Sequence, residues 1–322
     1  MLNRRRFVAS LAAAPLAAFG GLSAAAAEWP QRPVRILYPY AAGSSGDITA
    51  RLIARRLSDG LGQPFVIENR AGANGIVATA AVARAPADGH TLLWAITPQI
   101  AIAPAMAKVT YDPLRDFAPI SAVCSNSFAL AVNPRLPVRT VAEFIEYARG
   151  QSEGFAYAEG GAGSLSHLAM VLLLDRAGLH GTNVSYKGSM QALTDVVAGH
   201  LPATFSVLGD ALSQAQSGAV RLIAVSSAQR SQQASDVPTI AESGFPGFDV
   251  TSWWGLMAPA GTPQPIVDRI ASEAAHAVSD PQIVAKLRRI GVDPLGDSPA
   301  EFAVMIAADI KLWSRAVKIA GL

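Results

Sequence analysis

Between residues 34 and 319 short apolar runs alternate with longer amphipathic ones, and this alternation restricts the fold more than any other feature of the chain. Val34–Tyr38 is an apolar run bounded by Pro33 and Pro39. Residues 47–59 follow, with Ile48, Leu52, Ile53 and Leu57 on one helical face and Arg51, Arg55 and Arg56 on the other. Residues 65–68 are the next strand, 75–85 a small-residue helix, and Thr91–Ile96 another strand. A second series begins at 128–132. It runs through a helix at Val141–Arg149, opened by Thr140 with Glu143 at the capping-box position. Strands at 155–158, 184–186, 203–208 and Arg221–Val225 and helices at 164–177 and Ser189–Ala198 complete it. A last strand at 256–258 precedes three helices, near 265–278, 281–290 and 299–319, each with proline in its first turn. Strands separated by crossover helices give an α/β fold with a mainly parallel sheet covered by helices.

The length suggests more than one core. The chain has 322 residues, and those after position 27 exceed what one core usually manages, so two lobes are expected. With no Ser/Gly linker in sight, strands near 120–130 and 245–257 are expected to join them. The division is residues 28–125 plus 250–322 for lobe 1 and 126–249 for lobe 2. A small ligand would sit in the cleft between them.

Residues 1–27 read as an export signal. Arg4, Arg5 and Arg6 precede an apolar run from Phe7 to Phe19, and Ala25-Ala26-Ala27 fits a small-residue cleavage site. Pro15, Gly20 and Gly21 interrupt the apolar run, which falls short of the roughly 20 residues a span requires. Asn3-Arg4-Arg5-Arg6-Phe7-Val8 is similar to a twin-arginine signal. A periplasmic product cleaved near Ala27 is expected. Charge agrees with a small-molecule role: the formal net charge is +2, and without the three leader arginines 23 basic residues face 24 acidic ones. No basic face for nucleic acid remains.

Two loops carry the candidate chemistry. Tyr40-Ala41-Ala42-Gly43-Ser44-Ser45-Gly46-Asp47 lies between a strand and a helix, where small residues and a helix N-terminus suit an anion. A plain turn with Ser44 or Ser45 as N-cap is the alternative. Ala158-Glu159-Gly160-Gly161-Ala162-Gly163-Ser164-Leu165-Ser166-His167 occupies the same position in the other half. Together they suggest a pincer. Lys187, in a third strand-to-helix loop, is a candidate anion sensor or a solvated lysine. Catalytic signatures are missing: there is no GxSxG elbow, no P-loop, no GxGxxG, and no HExxH among the five histidines. The single cysteine, Cys124, has no partner for a disulfide or a cysteine metal site. No cofactor, metal site or catalytic residue is assigned.

From Trp29 to Leu322 the chain resembles the periplasmic solute receptors of tripartite tricarboxylate transporters, the Bordetella uptake gene group. The segments that carry the resemblance include LGQPFVIENRAGANGIVATAA, YAEGGAGSLSHLA, DVPTIAESG and SWWGLMAPAGT. It implies a two-lobed, type II-like flytrap fold and a receptor that is not an enzyme. One ligand carboxylate would be held by the two strand-to-helix loops. Carried onto this chain, the ligand-binding positions are Tyr40, Ala41, Gly43, Ser44, Ser45, Gly46 and Asp47, with Ala158, Glu159, Gly161, Gly163, Ser164, His167 and Ser206. The partners implied are a small carboxylate and the membrane subunits of such a transporter or a sensor. Nothing in the pattern argues for more than a monomer.

The chain departs from the family pattern where it matters. Ser44 and Ser45 replace glycines of the first loop. Glu159 stands where a small residue is usual and is expected to point to solvent; facing the cleft, it would repel a carboxylate or demand a cationic group. Ser206-Val207 replace a polar Asp-Asn pair, which favours a monocarboxylate with an apolar or aromatic body over citrate. The competing reading is a periplasmic hydrolase or lyase using Ser164, Ser166 or His167.

Overall fold

The computed structural model describes residues 29–152 and 154–322, so the expected export signal lies outside the described residues. In lobe 1, β1 (Val34–Tyr38) leads to helix α1 (Ser45–Leu61) and β2 (Phe65–Asn69). Helix α2 (Ile76–Ala83) connects to β3 (Thr91–Ile96), followed by a wide helical turn (Pro98–Ile102) and the short α3 (Ala103–Met106). Strand β4 (Phe117–Val132) then carries the chain into lobe 2.

Lobe 2 contains α4 (Val141–Arg149), β5 (Phe155–Glu159), α5 (Leu165–Arg176), β6 (Gly181–Ser185), α6 (Ser189–Ala198), β7 (Ala203–Val207), α7 (Leu208–Gln216) and β8 (Arg221–Val225). The return strand β9 (Thr251–Pro259) precedes α8 (Gln264–Ser279), α9 (Pro281–Arg289), β10 (Asp293–Pro294) and α10 (Pro299–Ile319).

The ladders explain how two sheets share one strand. In lobe 1, β1 is parallel to β2 and β3, with Tyr38 opposite Asn69. Antiparallel β9 pairs with β3, and residues 117–127 of β4 pair with β9. From Phe128 onward β4 pairs instead with β7 and β8, both antiparallel. Beyond them β5 is parallel to β7 and β6. Each sheet is thus mixed, where the alternation predicts mainly parallel pairing. A crossover helix restores strand direction; β4 runs from one lobe into the other and the chain returns to β9 without one, so nothing forces them parallel.

Each lobe has its own core. Ile53, Leu57, Leu92, Leu256 and Ile270 are buried on one face of the lobe 1 sheet, and Leu93, Trp253 and Phe302 on the other. Phe144, Phe155, Leu172 and Phe205 form the main lobe 2 cluster, with Phe144 and Phe155 edge to face at 5.3 Å. Cys124 is fully buried against lobe 1, and burial pushes its thiol up, with Asp293 adding to the shift.

The crossing between lobes is tied in two ways. Ser226, fully buried, donates its N–H to Phe128 O at 2.8 Å and accepts the Phe128 N–H on Oγ at 2.9 Å. It also donates Oγ–H to Val250 O and accepts the Val250 N–H on its carbonyl, which fastens the outgoing and returning chains together. Helix α10 spans both cores: Phe302 and Ile306 lie in the lobe 1 cluster, Trp313 and Ala316 in that of lobe 2. At its midpoint Asp309 accepts the indole N–H of Trp253 at 2.6 Å.

Two predictions follow from this packing. A Cβ at Gly255 would lie 2.6 Å from both Ser121 O and the Phe302 ring, so Gly255→Ala should cost about 2 kcal/mol or more in urea unfolding. Burial, reinforced by Asp249, pushes the Asp309 carboxyl up to about 6. Between the ordinary carboxylate range and pH 6 the folded state keeps a proton that the unfolded state releases, so stability falls as pH rises through that window. Asp309→Asn, which keeps an acceptor for Trp253, should be more stable than wild type at pH 7.5 by up to about 3 kcal/mol. That difference should vanish at pH 4.

Candidate ligand-binding cleft

The first loop closes on the start of α1. Ser44 is the N-cap, with extended φ −74° and ψ 162°, and its side chain accepts the Asp47 N–H at 3.3 Å. Tyr38 Oη lies 2.8 Å from the same hydroxyl. Asp47 turns inward and is buried, accepting the Gly43 N–H at 3.0 Å and Asn69 Nδ2 at 2.9 Å. Arg51, one turn on, donates Nε to Asp47 Oδ2 at 3.0 Å and Nη2 to Oδ1 at 3.1 Å. Burial would raise the Asp47 carboxyl, but Arg51, the Gly43 N–H and Asn69 together hold it below the ordinary range. The amides of Ser45 and Gly46 have no acceptor among the described residues and remain available at the helix N-terminus.

The second loop is wired differently. Ser164 caps α5, accepting the His167 N–H at 3.3 Å, and its hydroxyl lies 2.9 Å from that of Ser166. Gly160 donates its N–H to Ser166 Oγ at 3.0 Å, and Gly163 donates to His167 Nδ1 at 3.1 Å. An imidazole that accepts on Nδ1 carries its proton on Nε2 and is neutral; burial lowers its pKa, against an opposing pull from Glu159. His167 therefore holds the loop.

Glu159 overturns the expectation that it faces solvent. It is fully buried beneath the loop. Its Oε2 accepts the Gly161 N–H and, at 3.4 Å, the Ser164 hydroxyl, while Oε1 accepts Asn183 Nδ2 at 3.2 Å. The departure from a small residue thus fills the underside of the loop with a carboxyl group.

The two halves meet across a cleft of about 520 Å³. Lobe 2 contributes residues 160–164. Lobe 1 contributes Tyr40, then Asn74 and Ile76 after β2, and Pro98, Ile102, Ala103, Met106 and Ala107 from the turn after β3. Among the described residues, none lining it is charged. Tyr40 donates its hydroxyl to Asn74 O at 3.4 Å, and burial raises its pKa to about 12, so it stays a neutral phenol. Gly163 has φ +76°, and a Cβ there would lie 2.4 Å from Met106 Sδ, so the far wall rests on the loop where only glycine fits.

Of the positions expected from the sequence, Tyr40, Gly161, Gly163 and Ser164 line this cleft. Ala41, Gly43, Ser44 and Ser45 are exposed beside Tyr40, and Gly46 and Asp47 are buried behind them. Ala158, Glu159 and His167 are buried within lobe 2 and reach the cleft only through the loop they support. Ser206 lies inside the sheet opposite Ala129, fully buried, and does not line the cleft. Lys187 is exposed and also stands outside it. The residues at 74–76 and 98–107 were missed. The AGANG run signals the first of these, since Ala73 (φ 45°), Asn74 (φ 52°) and Gly75 (φ 92°) are all left-handed, a conformation that places a strained turn at the end of β2.

Asp47 supplies a pH test of the first loop. Its folded-state pKa is depressed, so its contribution is full above the unfolded value and lost as pH falls through the folded one. Asp47→Asn should cost about 1–2 kcal/mol at pH 7, with half-exposed Arg51 limiting the effect. In urea titrations the gap should persist at the ordinary aspartate pKa of 3.8 and close only below it.

Comparison with known proteins agrees with this geometry. The model of the tripartite tricarboxylate transporter family receptor matches residues 49–322. Protein BugT of Bordetella pertussis is 33% identical over 295 residues, covering 91% of this chain and 90% of its own. Rpa4515 of R. palustris, solved with adipate, is 37% identical with a TM-score of 0.74, over 91% of this chain and 98% of that one. MatC of Rhodopseudomonas palustris, solved with bound malate, is 31% identical with a TM-score of 0.71, over 90% and 100%. The family match and the solved periplasmic receptors of this fold make the chain a solute-binding receptor rather than an enzyme; the chain belongs to the tripartite tricarboxylate transporter receptor family.

Proposed function

We propose that the chain is exported to the periplasm, captures a small carboxylate between its lobes, and delivers it to the membrane subunits of a tripartite tricarboxylate transporter or to a sensor. The observation that carries this is the cleft itself. It is lined by Tyr40 at the start of the first strand-to-helix loop and by residues 160–164 of the second, and the adjoining N-terminus of α1 offers the unpaired amide of exposed Ser45, with that of Gly46 behind it. A carboxylate accepts from such amides with help from the helix dipole. Tyr40, Ala41 and residues 43–46 would hold it from lobe 1, with Asp47 keeping the loop in shape, and Gly161, Gly163 and Ser164 would close from lobe 2. That adipate and malate occupy the structural relatives supports a carboxylate here. Ile76, Pro98, Ile102, Ala103 and Met106 favour a ligand with one carboxylate and an apolar body over citrate. The ligand would drive closure by its greater affinity for the closed state.

The test is thermal unfolding of residues 28–322 against mono-, di- and tricarboxylates, amino acids and aromatic acids. A ligand at 100 times its Kd adds about 2.7 kcal/mol and should shift the midpoint by several degrees. Gly46→Val should abolish the shift, because a Cβ there would lie 2.6 Å from the Tyr38 hydroxyl that anchors the Ser44 cap. A panel without any shift overturns the carboxylate reading; a shift with citrate alone overturns the apolar body.

A further inference from the structure

We propose that the ligand presents a hydrogen-bond donor, an amide, hydroxyl or ammonium group, to residues 160–164, and that a second carboxylate is rejected there. This rests on the receptor reading above and narrows it.

Both cleft helices carry an acid at their N-termini, but the two acids are balanced differently. Asp47 at the start of α1 is met by the Arg51 guanidinium through two nitrogens. Its charge is cancelled locally, and the helix dipole still faces outward. Glu159 below the start of α5 has only neutral partners: the Gly161 N–H, the Ser164 hydroxyl and the Asn183 amide. It is fully buried, so water does not screen it. Its carboxyl group already occupies two of the loop's donors that a ligand carboxylate would seek, the Gly161 N–H and the Ser164 hydroxyl.

Most of the remaining amides of residues 160–164 are spent within the loop, and only the Ala162 N–H stays free there, beside the first amides of α5 at Leu165 and Ser166. The Gly160 and Gly163 N–H groups are given to Ser166 and His167. His167 accepts on Nδ1 and brings no positive charge. Among the described residues the carbonyls of Gly160, Ala162 and Gly163 receive no hydrogen bond. Within residues 160–164 three free carbonyls thus stand against one free amide, over a buried carboxyl group. A ligand group that donates gains from both features; an anionic one opposes both. Lobe 1 and lobe 2 thus select opposite ends of one molecule.

The experiment compares three acids with the same six-carbon chain and one shared carboxylate: adipate, adipic acid monoamide and 6-aminohexanoate. Isothermal titration to the wild-type chain should show the monoamide or the ammonium acid binding at least about tenfold more tightly than adipate. Glu159→Gln, which keeps the size and the acceptor oxygen, should shrink that preference about tenfold by improving adipate. Should this variant fail to fold, the wild-type series alone decides. Adipate binding the wild type as tightly as the other two overturns the inference and leaves the receptor reading standing. Failure of the monoamide and the ammonium acid to bind the wild type overturns it too. A silent carboxylate panel is the separate result that removes the carboxylate reading on which this rests.

Discussion

Strand β4 is the element on which the rest depends. One continuous strand belongs to both sheets, changing partners between Ser127 and Phe128. The outgoing chain at Phe128 and the returning chain at Val250 are fastened side by side by the four bonds of Ser226, so the orientation of the lobes rests on hydrogen bonding at one locality and on the packing of α10. A small rotation at this point moves the far rims by much more, which is how hinge closure draws large displacement from a few dihedrals. Helix α10, seated in both cores, is a second tie between the lobes.

The cleft follows from this topology. Loops at the carboxyl ends of parallel strands collect on one rim of each sheet, where open α/β folds place their ligands. The Tyr38 to Asn69 register sets the ends of β1 and β2 side by side, and Tyr40 reaches Asn74 as a result. The end of β5 supplies the facing loop. Each lobe brings a helix N-terminus, and the chain then sets the two apart by adding Arg51 beside one acid and no cation beside the other. Similar backbones thus carry differently partnered acids.

Much of this architecture was legible because periodicity and caps are local. The Thr140 and Glu143 capping box, the helix at Ser189–Ala198 and the strand at Thr91–Ile96 stand where the pattern placed them. A joining strand near 120–130 was legible, but its extension back to Phe117 and its length were not. Pro119, Ser121, Ser125 and Asn126 interrupt its apolar run, and register shifts near Pro119 and Ala122 accommodate them, so only tertiary pairing with β9 reveals its full length. Helix α7, following β7 without a break, likewise lacks a capping side chain to announce it. The two cleft loops were visible as Gly/Ser runs between elements. The direction in which Glu159 points was not, because it depends on Asn183 from a neighbouring strand.

Cys124 has a practical consequence. As the only cysteine of the chain, fully buried in β4 with its thiol pushed up, it is closed to alkylating reagents in the folded state. A cysteine introduced on the exposed rim of each lobe would be the only reactive thiol there. The wild-type background therefore suits paired fluorophores or spin labels without prior removal of a native cysteine. Distances between the lobes could be followed through a titration, turning the receptor into an optical reporter of its own ligand.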